Sequence, residues 1–262
     1  MRNFKKVFAI ALCLLLAVSA VFASGDEEKN EVDRIKDRGV LEVGVKNDVP
    51  GFGYQNIVTG EMEGFEIELA KKVAEKILGE PKVNFTPVTA ATRGPLLDTG
   101  ELDAVIATFT VTDERRNSWD FSDIYYVDAV ACMVKKSLGV SEFKELDGKT
   151  IGVATSATTK KSLTAAAEEM GISVNFLEFS TYPELKSALD SGRVDAFAVD
   201  FAILNGYMED TVMILPDRFT PQDYGAAVKK GNTALLAVID EVIDELQASG
   251  EMDEMLKANG LL

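Results

Sequence analysis

The 262-residue chain contains no histidine, and this absence excludes several kinds of active site. Without imidazole there can be no Ser-His-Asp or Cys-His nucleophile, no histidine-ligated zinc or haem, and no imidazole general base. Basic residues are also scarce, since 27 Lys and Arg stand against 43 Asp and Glu, for a formal charge of −16. A nucleic-acid-binding protein needs a basic surface, so this balance argues against nucleic acid as a partner. We expect small molecules or proteins as partners, and neither a cofactor nor a metal.

Cysteine is nearly as scarce, and no disulfide is expected from the two that are present. Cys13 lies in an N-terminal segment with the features of a secretory signal peptide, an apolar stretch that follows three basic residues. Cleavage near Ala23 would leave a net charge of −19 and Cys132 as the remaining cysteine, which we interpret as a small buried hydrophobic residue. A retained membrane anchor is the alternative for residues 1–23, but its apolar run of about 16 residues is shorter than the ~20 that span a bilayer.

From residue 40 onward, short β-rich apolar runs alternate with amphipathic helical patterns. In the first helical pattern, Phe65, Leu69, Val73 and Ile77 recur at every fourth position, as on one face of a helix. Strands that alternate with helices favour an α/β fold of mostly parallel sheets with helices on both faces. Strands are predicted at 41–45, 83–88, 104–108, 151–154, 174–179 and 196–199, with helices through 65–77, 158–170, 183–189 and 235–246.

Two segments of the chain resemble each other at an offset of 92 residues. Residues 97–109 and 189–201 share six identities in thirteen positions. Convergence on a helix–glycine–strand turn could produce the match, but we favour duplication because it falls at the same place in both β/α series. In this register Thr108 corresponds to Asp200, and each ends a predicted strand, where ligands bind in open parallel sheets. The pattern predicts two α/β lobes that face each other.

Two predicted helix starts carry side chains that suit an anionic group. Thr112 is a plausible N-cap, and Arg115, three residues later, could bind a carboxylate in bidentate fashion. In the second series, hydroxyl side chains at 155–159 precede a helix. Simple capping with a solvated Arg115 is the alternative, and a phosphate-binding loop is poorly supported because its glycines are missing.

Further charged residues follow predicted strand ends. Asp200 closes an otherwise apolar strand, so we expect a cationic partner unless it is an edge residue or caps the next helix. Lys46 and Arg93 also follow strands, although either alone could be an ordinary surface residue. Together with Arg115 they give three cations and one anion, which suits a ligand with two negative groups and one positive group.

Several motifs, in their order along the chain, give the sequence a family resemblance. It resembles the polar amino-acid-binding proteins of bacterial ABC transporters over nearly the whole chain that follows the signal peptide. The motifs are VGVKNDVP (43–50), GFEIELA (64–70), TRGP (92–95), ATFTVTDER (107–115) and FSDIYY (121–126). The resemblance implies a two-lobed periplasmic-binding-protein-like fold of type II, with two hinge crossings, that closes over one amino acid.

The resemblance also implies roles for individual residues. Arg115 would hold the α-carboxylate of the ligand, helped by Thr110 and, across the cleft, by Thr158. Asp200 would receive the α-ammonium group. Thr108, which corresponds to Asp200 in the internal repeat, completes this set of ligand-binding candidates.

The segment before Pro95 lacks the aromatic residue with which many members stack on the ligand. It resembles the aspartate/glutamate-binding branch, in which Arg93 and Lys46 would reach a side-chain carboxylate and Tyr182 would contribute a hydroxyl. Residues 156–157 depart from the Gly-Ser or Gly-Thr of many members. We therefore predict a protein that binds aspartate or glutamate and is not an enzyme. Glutamine or another polar amino acid is the alternative, then a dehydratase-type enzyme on the same scaffold, and nothing in the sequence tests a role in attachment.

The expected organisation follows from these assignments. Residues 1–23 would be removed, lobe 1 would comprise 24–128 and 222–262, and lobe 2 would comprise 129–221. The hinges would lie near 126–130 and 215–224. We expect a periplasmic monomer that delivers its free amino acid to the permease subunits of an ABC transporter.

Overall fold

The computed structural model describes residues 29–262. The predicted signal peptide at 1–23 and Cys13 lie outside this part of the chain, in which no helix is long and apolar enough to cross a membrane. The helices are α1 (Glu31–Arg38), α2 (Phe65–Leu78), α3 (Arg93–Thr99), α4 (Asp113–Arg116), α5 (Thr159–Met170), α6 (Tyr182–Ser191), α7 (Phe201–Asn205), α8 (Thr233–Ser249) and α9 (Glu251–Ala258), with 3-10 turns at Lys136–Leu138 and Phe143–Leu146. The strands are β1 (Leu41–Val45), β2 (Asp48–Val49), β3 (Gly53–Gln55), β4 (Met62–Glu63), β5 (Val83–Pro87), β6 (Ala104–Val105), β7 (Trp119–Phe121), β8 (Tyr126–Lys135), β9 (Thr150–Ala154), β10 (Asn175–Phe179), β11 (Ala196–Asp200), β12 (Val212–Ile214), β13 (Phe219–Tyr224) and β14 (Ala227–Lys229).

The first lobe contains a sheet in the order β5-β1-β6-β14-β7, with a small three-stranded sheet of β2, β3 and β4 beside it. β1 is parallel to β5 and β6, whereas β14 is antiparallel to β6 and β7. The predicted stripe of α2 is buried, and the helix ends at Gly79 in the left-handed conformation that favours glycine. The prediction of this helix is confirmed.

The strand predicted over 104–108 is shorter than expected, since β6 covers only Ala104–Val105. Thr108 has a φ of 45°, which an extended strand cannot contain. The chain turns there, and the amide N–H of Thr108 donates a hydrogen bond of 2.6 Å to the carboxylate of Glu66.

The second lobe contains a sheet in the order β10-β9-β11-β8-β12, with β13 also paired to β8. β9 is parallel to β10 and β11, but β8 is antiparallel to β11, β12 and β13. The expectation of a mostly parallel sheet is wrong for this lobe, because β8, which arrives from the first lobe, runs opposite to its neighbours and makes three of the five strand pairings. Cys132 is buried in β8, as predicted.

The chain passes between the sheets twice, and the two passages are adjacent. It leaves the first sheet after Phe121 and starts β8 at Tyr126, and it returns between Tyr224 and Ala227. Tyr126 pairs with Tyr224 where β8 and β13 meet, and their rings stack with centroids 5.9 Å apart. The predicted hinge segments include these ends of β8 and β13, and their role as hinges stays a prediction.

The last two helices pack on the first lobe. The predicted stripe Leu235, Ile239, Val242 and Leu246 is buried along α8. Lys76 of α2 forms ion pairs with Glu241 at 2.9 Å and Glu245 at 2.8 Å of α8. The last two helices of the described residues therefore return to the lobe that contains α2.

The internal repeat corresponds to a shared structural unit. Gly100 and Gly192 both end helices with left-handed φ values, of 78° and 74°. Asp103 accepts a hydrogen bond of 2.8 Å from the amide of Glu42 at the start of β1, and Asp195 accepts one of 2.9 Å from Thr150 at the start of β9. The matched glycines and aspartates therefore make the same helix ends and the same hydrogen bonds to a strand in each lobe. This accounts for the identities under either duplication or convergence.

Candidate functional site

The site lies between the carboxyl ends of the parallel strands of the two lobes, where open α/β sheets bind ligands. The lobes touch there, since the Arg115 guanidinium donates a hydrogen bond of 3.2 Å from Nη2 to the carbonyl of Ser156. On the other side of the cleft, the amide of Tyr182 donates one of 3.4 Å to Oδ2 of Asp48. We call the space between these contacts the cleft.

The backbone is strained at both edges of the cleft. Thr108 in the first lobe and Ser156 in the second have φ values of 45° and 64°, in the left-handed region that residues other than glycine seldom adopt. Each presents a backbone group to the site, namely the Thr108 amide to Glu66 and the Ser156 carbonyl to Arg115. Such strain persists where surrounding contacts hold it, and it clusters at functional sites.

Arg115 is held by its own lobe as well as by the opposite one. Thr112 is the N-cap of α4 as predicted, and its hydroxyl accepts a hydrogen bond of 3.1 Å from the Arg115 amide. The Arg115 Nη1 donates to the Thr110 carbonyl at 2.7 Å. Burial, and then the charge of Arg93, lower the pKa of Arg115 to about 9, so it is charged at neutral pH.

Arg93 is buried at the start of α3 and shares an aromatic support with Arg115. Its Nη1 donates to the carbonyls of Ala107 at 2.6 Å and Thr108 at 3.1 Å. Its guanidinium carbon lies 3.8 Å from the ring centre of Phe109, and that of Arg115 lies 4.9 Å from the same ring. Cation–π attraction therefore holds two like charges over one side chain. Sequence reasoning used Phe109 only as a match in the repeat and missed this role.

Lys46 is buried after β1 and is already paired. Its Nζ lies 2.9 Å from Oδ1 of Asp48, donates to the Val88 carbonyl at 3.2 Å, and lies 4.6 Å from the ring centre of Tyr182 in the opposite lobe. Burial lowers the pKa of Lys46, and Asp48 opposes that shift. Sequence reasoning missed Asp48, although it stands two residues after Lys46 in the same motif.

Asp200 is the N-cap of α7 by position, but its side chain makes no capping hydrogen bond. It accepts instead from the hydroxyl of Tyr224, the last residue of β13. Burial raises the pKa of Asp200 to about 7, while the Tyr224 hydrogen bond and the charges of Arg93 and Arg115 lower it. The expected cationic partners are thus present as neighbouring charges in the cleft, and the direct hydrogen bond comes from a tyrosine that the sequence did not single out.

Two threonines from opposite lobes meet at one amide. The hydroxyls of Thr110 and Thr158 donate hydrogen bonds of 2.9 Å and 2.7 Å to Oε1 of Gln222, which is buried in β13. Gln222 was not predicted as a site residue. It lies 112 positions from Thr110 and 64 from Thr158, so no local pattern could join the three.

Glu66 is another residue that sequence reasoning did not assign to the site. It is completely buried at the second position of α2, and its Oε1 accepts from the Thr108 amide and the Tyr125 hydroxyl, both at 2.6 Å. Burial raises the pKa of Glu66 to about 7, although both hydrogen bonds and the charges of Arg93 and Lys46 lower it.

The structure places all eight residues predicted for the site around the cleft, and what each does to a ligand stays a prediction. One mouth of the cleft opens into a cavity of about 590 Å³ that Arg115, Trp119 and Thr158 help to line. Among residues 29–262, no group of three or more acidic or cysteine side chains could hold a metal ion. The arrangement is one of fixed charges and hydroxyls, which suits recognition of a small zwitterion.

Comparison with known proteins agrees with this geometry. The family model of the bacterial extracellular solute-binding proteins, family 3, matches residues 41–260. The chain is 36% identical to an ABC transporter glutamine-binding protein of Bacillus subtilis, over 97% of this chain and 96% of the relative. It is 40% identical to a glutamine-binding protein of Geobacillus stearothermophilus, over 77% of each. A Pseudomonas aeruginosa L-glutamate/L-aspartate-binding protein is 29% identical, over 97% of this chain and 87% of its own.

Solved structures with the same architecture confirm the predicted two-lobed fold. A periplasmic binding protein from Brucella ovis with glutathione bound has a TM-score of 0.81 at 29% identity, over 86% of this chain and 73% of its own. An ancestral arginine-binding protein bound to glutamine has a TM-score of 0.76 at 34% identity, over 86% of this chain and 99% of its own. The matched family and relatives are binding proteins, which confirms the prediction of a binding protein and not an enzyme. The chain belongs to family 3 of the bacterial extracellular solute-binding proteins.

Proposed function

We propose that the chain captures a free polar amino acid between its lobes and delivers it to the permease of an ABC transporter, with glutamine as the preferred ligand. The observation that carries this proposal is the presence of Arg115 and Asp200 as neighbouring charges in one cleft. A guanidinium suits an α-carboxylate, and a carboxylate suits an α-ammonium group. Each is a neighbouring charge of the other, so both ends of a zwitterion can be met within a single site.

The balance of charge favours glutamine over glutamate. Lys46, Arg93 and Arg115 are the cations predicted for the cleft, and the acids Asp48, Glu66 and Asp200 neighbour them. Lys46 already forms an ion pair with Asp48 at 2.9 Å. With every group ionised, the six charges cancel, so a ligand without net charge leaves no buried charge uncompensated. The two relatives named as glutamine-binding proteins support the same choice.

Glutamate is the second candidate, and it keeps the prediction made from the sequence. Arg93 and Lys46 are 4% and 2% exposed, so both predicted side-chain contacts are buried at the site. The relative named as an L-glutamate/L-aspartate-binding protein supports this choice as well. Glutamate would need one more positive charge, or one less negative charge, than the fully ionised cleft provides.

A calorimetric screen of the purified chain without residues 1–23 tests the proposal. At pH 7.5 we expect glutamine to bind with a Kd at or below the micromolar range, with glutamate and aspartate weaker. A tighter Kd for glutamate than for glutamine would favour the second candidate. No binding of any of the 20 amino acids at millimolar concentration would contradict the proposed function altogether.

The remaining parts of the proposal concern the whole chain. We propose that residues 1–23 direct export and are cleaved near Ala23, and that the protein acts as a monomer in the periplasm. Lobe 1 would comprise residues 24–128 and 222–262, and lobe 2 would comprise residues 129–221. The paired ends of β8 and β13, which join the two sheets, support hinges near 126–130 and 215–224. Mass spectrometry of the mature N-terminus and light scattering of the purified protein test export and the monomer.

A further inference from the structure

A completely buried carboxylate, that of Glu66, neighbours Arg93 and Lys46, the side chains that are proposed to contact the side chain of the ligand. Glu66 is 0% exposed, and its Oε1 accepts two hydrogen bonds of 2.6 Å. Its Oε2 has no partner among the described residues, and the same is true of the Arg93 Nε. Burial of a charge and of unpaired polar atoms costs free energy, so a purely structural residue at this position would be better apolar.

The charged and titratable groups around Glu66 come from several elements. Arg93 begins α3, Lys46 follows β1, and Tyr125 precedes β8, while the Thr108 amide comes from the turn after β6. Arg93 and Lys46 attract the ionised form of Glu66. These are the two cations predicted to reach a side-chain carboxylate, so the charge that they present to a ligand depends on Glu66.

We propose that Glu66 is a specificity-determining residue, whose ionised carboxylate offsets Arg93 and Lys46 and so favours a neutral amide over a carboxylate in the ligand side chain. The inference rests on the proposed function and deepens it. Ionised Glu66 gives a cleft of balanced charge that suits glutamine. Neutral Glu66 leaves one positive charge in excess, which suits glutamate.

The same geometry makes the preference depend on pH. Burial raises the pKa of Glu66 to about 7, so its charge changes between pH 6 and pH 8. The side chain of free glutamate is ionised throughout that range, and glutamine has no group there that titrates. Asp200 also titrates near 7, with Arg93 and Arg115 as neighbouring charges, but its proposed contact is with the α-ammonium group that both ligands share. The part of the pH dependence that is lost in a variant without the Glu66 carboxylate is therefore the part assigned to Glu66.

The test is calorimetry with glutamine and with glutamate at pH 6 and pH 8 on the wild type, Glu66→Gln and Glu75→Gln. The amide oxygen of Glu66→Gln can still accept from Thr108 and Tyr125, whereas Glu75 is exposed on the same helix, and its variant loses the same charge. In the wild type, we expect the ratio Kd(glutamate)/Kd(glutamine) to fall about five- to tenfold from pH 8 to pH 6. In Glu66→Gln we expect a ratio at pH 8 about tenfold below the wild type, with no pH dependence.

The outcomes separate the two proposals. A Glu66→Gln variant that folds and keeps the wild-type ratio, or a Glu75→Gln variant that changes it equally, would overturn the role of Glu66 alone. If Glu66→Gln does not fold, the wild-type ratio decides, and a ratio that is flat between pH 6 and pH 8 overturns the inference. A wild type that binds neither ligand overturns both proposals.

Discussion

Charged side chains that most proteins keep in water are buried in this cleft. Lys46, Arg93 and Asp200 are each 5% exposed or less, and Glu66 is not exposed at all. Each would be costly alone, and each has an ion-pair or hydrogen-bond partner beside it. Removal of one member leaves its partner buried without compensation, so single substitutions should have large effects on ligand binding.

We predict that Arg115→Ala raises the Kd of every α-amino acid ligand at least a hundredfold. The variant removes the guanidinium proposed to hold the α-carboxylate, and loss of one partner of a buried pair costs about 3–5 kcal/mol, or two to four decades in Kd. Arg116→Ala is the matched control, because Arg116 is the next residue of α4 and is exposed. Calorimetry should give an unchanged Kd for the control, and a Kd for Arg115→Ala within tenfold of the wild-type value would contradict the assignment.

At this scale, the sequence was informative where a charge followed a strand end, and uninformative where the partner was distant. Arg115 and Asp200 could be predicted because their positions in the pattern are unusual for charged groups. Gln222 could not, because an amide in a Pro-rich segment looks like ordinary surface until the fold brings Thr110 and Thr158 to it. Glu66 was read as part of a helical motif, and only burial reveals its place in the cleft.

Among the elements, α3 packs closely against β7 at Gly94. A Cβ added to Gly94 would lie 2.5 Å from Cζ2 and 2.8 Å from Cη2 of Trp119, so the ring could not stay in place. Trp119 is itself fixed by a hydrogen bond of 2.8 Å from its Nε1 to Asp98 at the other end of α3. The glycine therefore lets α3 lie against β7, and in doing so positions Arg93.

We predict that Gly94→Ala destabilises the protein by about 1–3 kcal/mol through overpacking. Because Arg93 precedes the substituted residue, affinity for the ligand should fall as well. Denaturant unfolding and calorimetry measure the two effects. The double variant Gly94→Ala/Trp119→Leu should recover part of the stability, whereas an unchanged unfolding midpoint in the single variant would contradict the packing argument.

Helices with a clear stripe were predicted well, and strand ends and pairing directions were not. The helical spacing of apolar residues in α2 and α8, of three or four positions, depends only on local sequence, which is why both helices are found where expected. The end of β6 depends on Thr108, whose amide donates a hydrogen bond to the carboxylate of Glu66, 42 positions earlier in the chain. The direction of β8 depends on which lobe it comes from, and apolar periodicity contains no information on that.

The two lobes are in direct contact, and Asp48 takes part in that contact twice. Its carboxylate accepts from the Tyr182 amide at 3.4 Å, and its carbonyl accepts from the hydroxyl of Tyr207, both in the second lobe.

We predict that Tyr207→Phe, which removes one hydrogen bond between lobes, weakens ligand binding by about 0.5–1.5 kcal/mol, chiefly through faster dissociation. Stopped-flow kinetics and calorimetry measure this.

Tyr54→Phe is the control for that experiment. Tyr54 lies in β3 near Tyr207, and its hydroxyl has no hydrogen-bond partner within residues 29–262. Equal effects of the two variants, or no effect of Tyr207→Phe on the dissociation rate, would contradict a role for this contact in closure.

The stability of the whole molecule should depend on pH through its buried acids. Burial raises the pKa of Glu66 and of Asp200 to about 7, above their usual values of 4.5 and 3.8. The folded protein therefore binds more protons than the unfolded chain, so this stability is present at low pH and lost as pH rises through 7. We predict a higher Tm at pH 6 than at pH 8, with a difference of about 2–4 °C for each kcal/mol by which the free energy of unfolding changes. Thermal unfolding of the wild type and of Asp200→Asn checks this, and the Tm of the variant should depend less on pH. A wild-type Tm that rises toward pH 8 would contradict the prediction.

The position of Trp119, described above for its packing, also gives the molecule an optical probe. It is the only tryptophan of the chain, and its ring centre lies 5.6 Å from that of Phe109, over which Arg93 and Arg115 lie. It also lines the cavity at the mouth of the cleft. Indole fluorescence of the unlabelled protein thus comes from one place, a single aromatic ring away from the arginines, and a ligand that rearranges them can be followed by its emission.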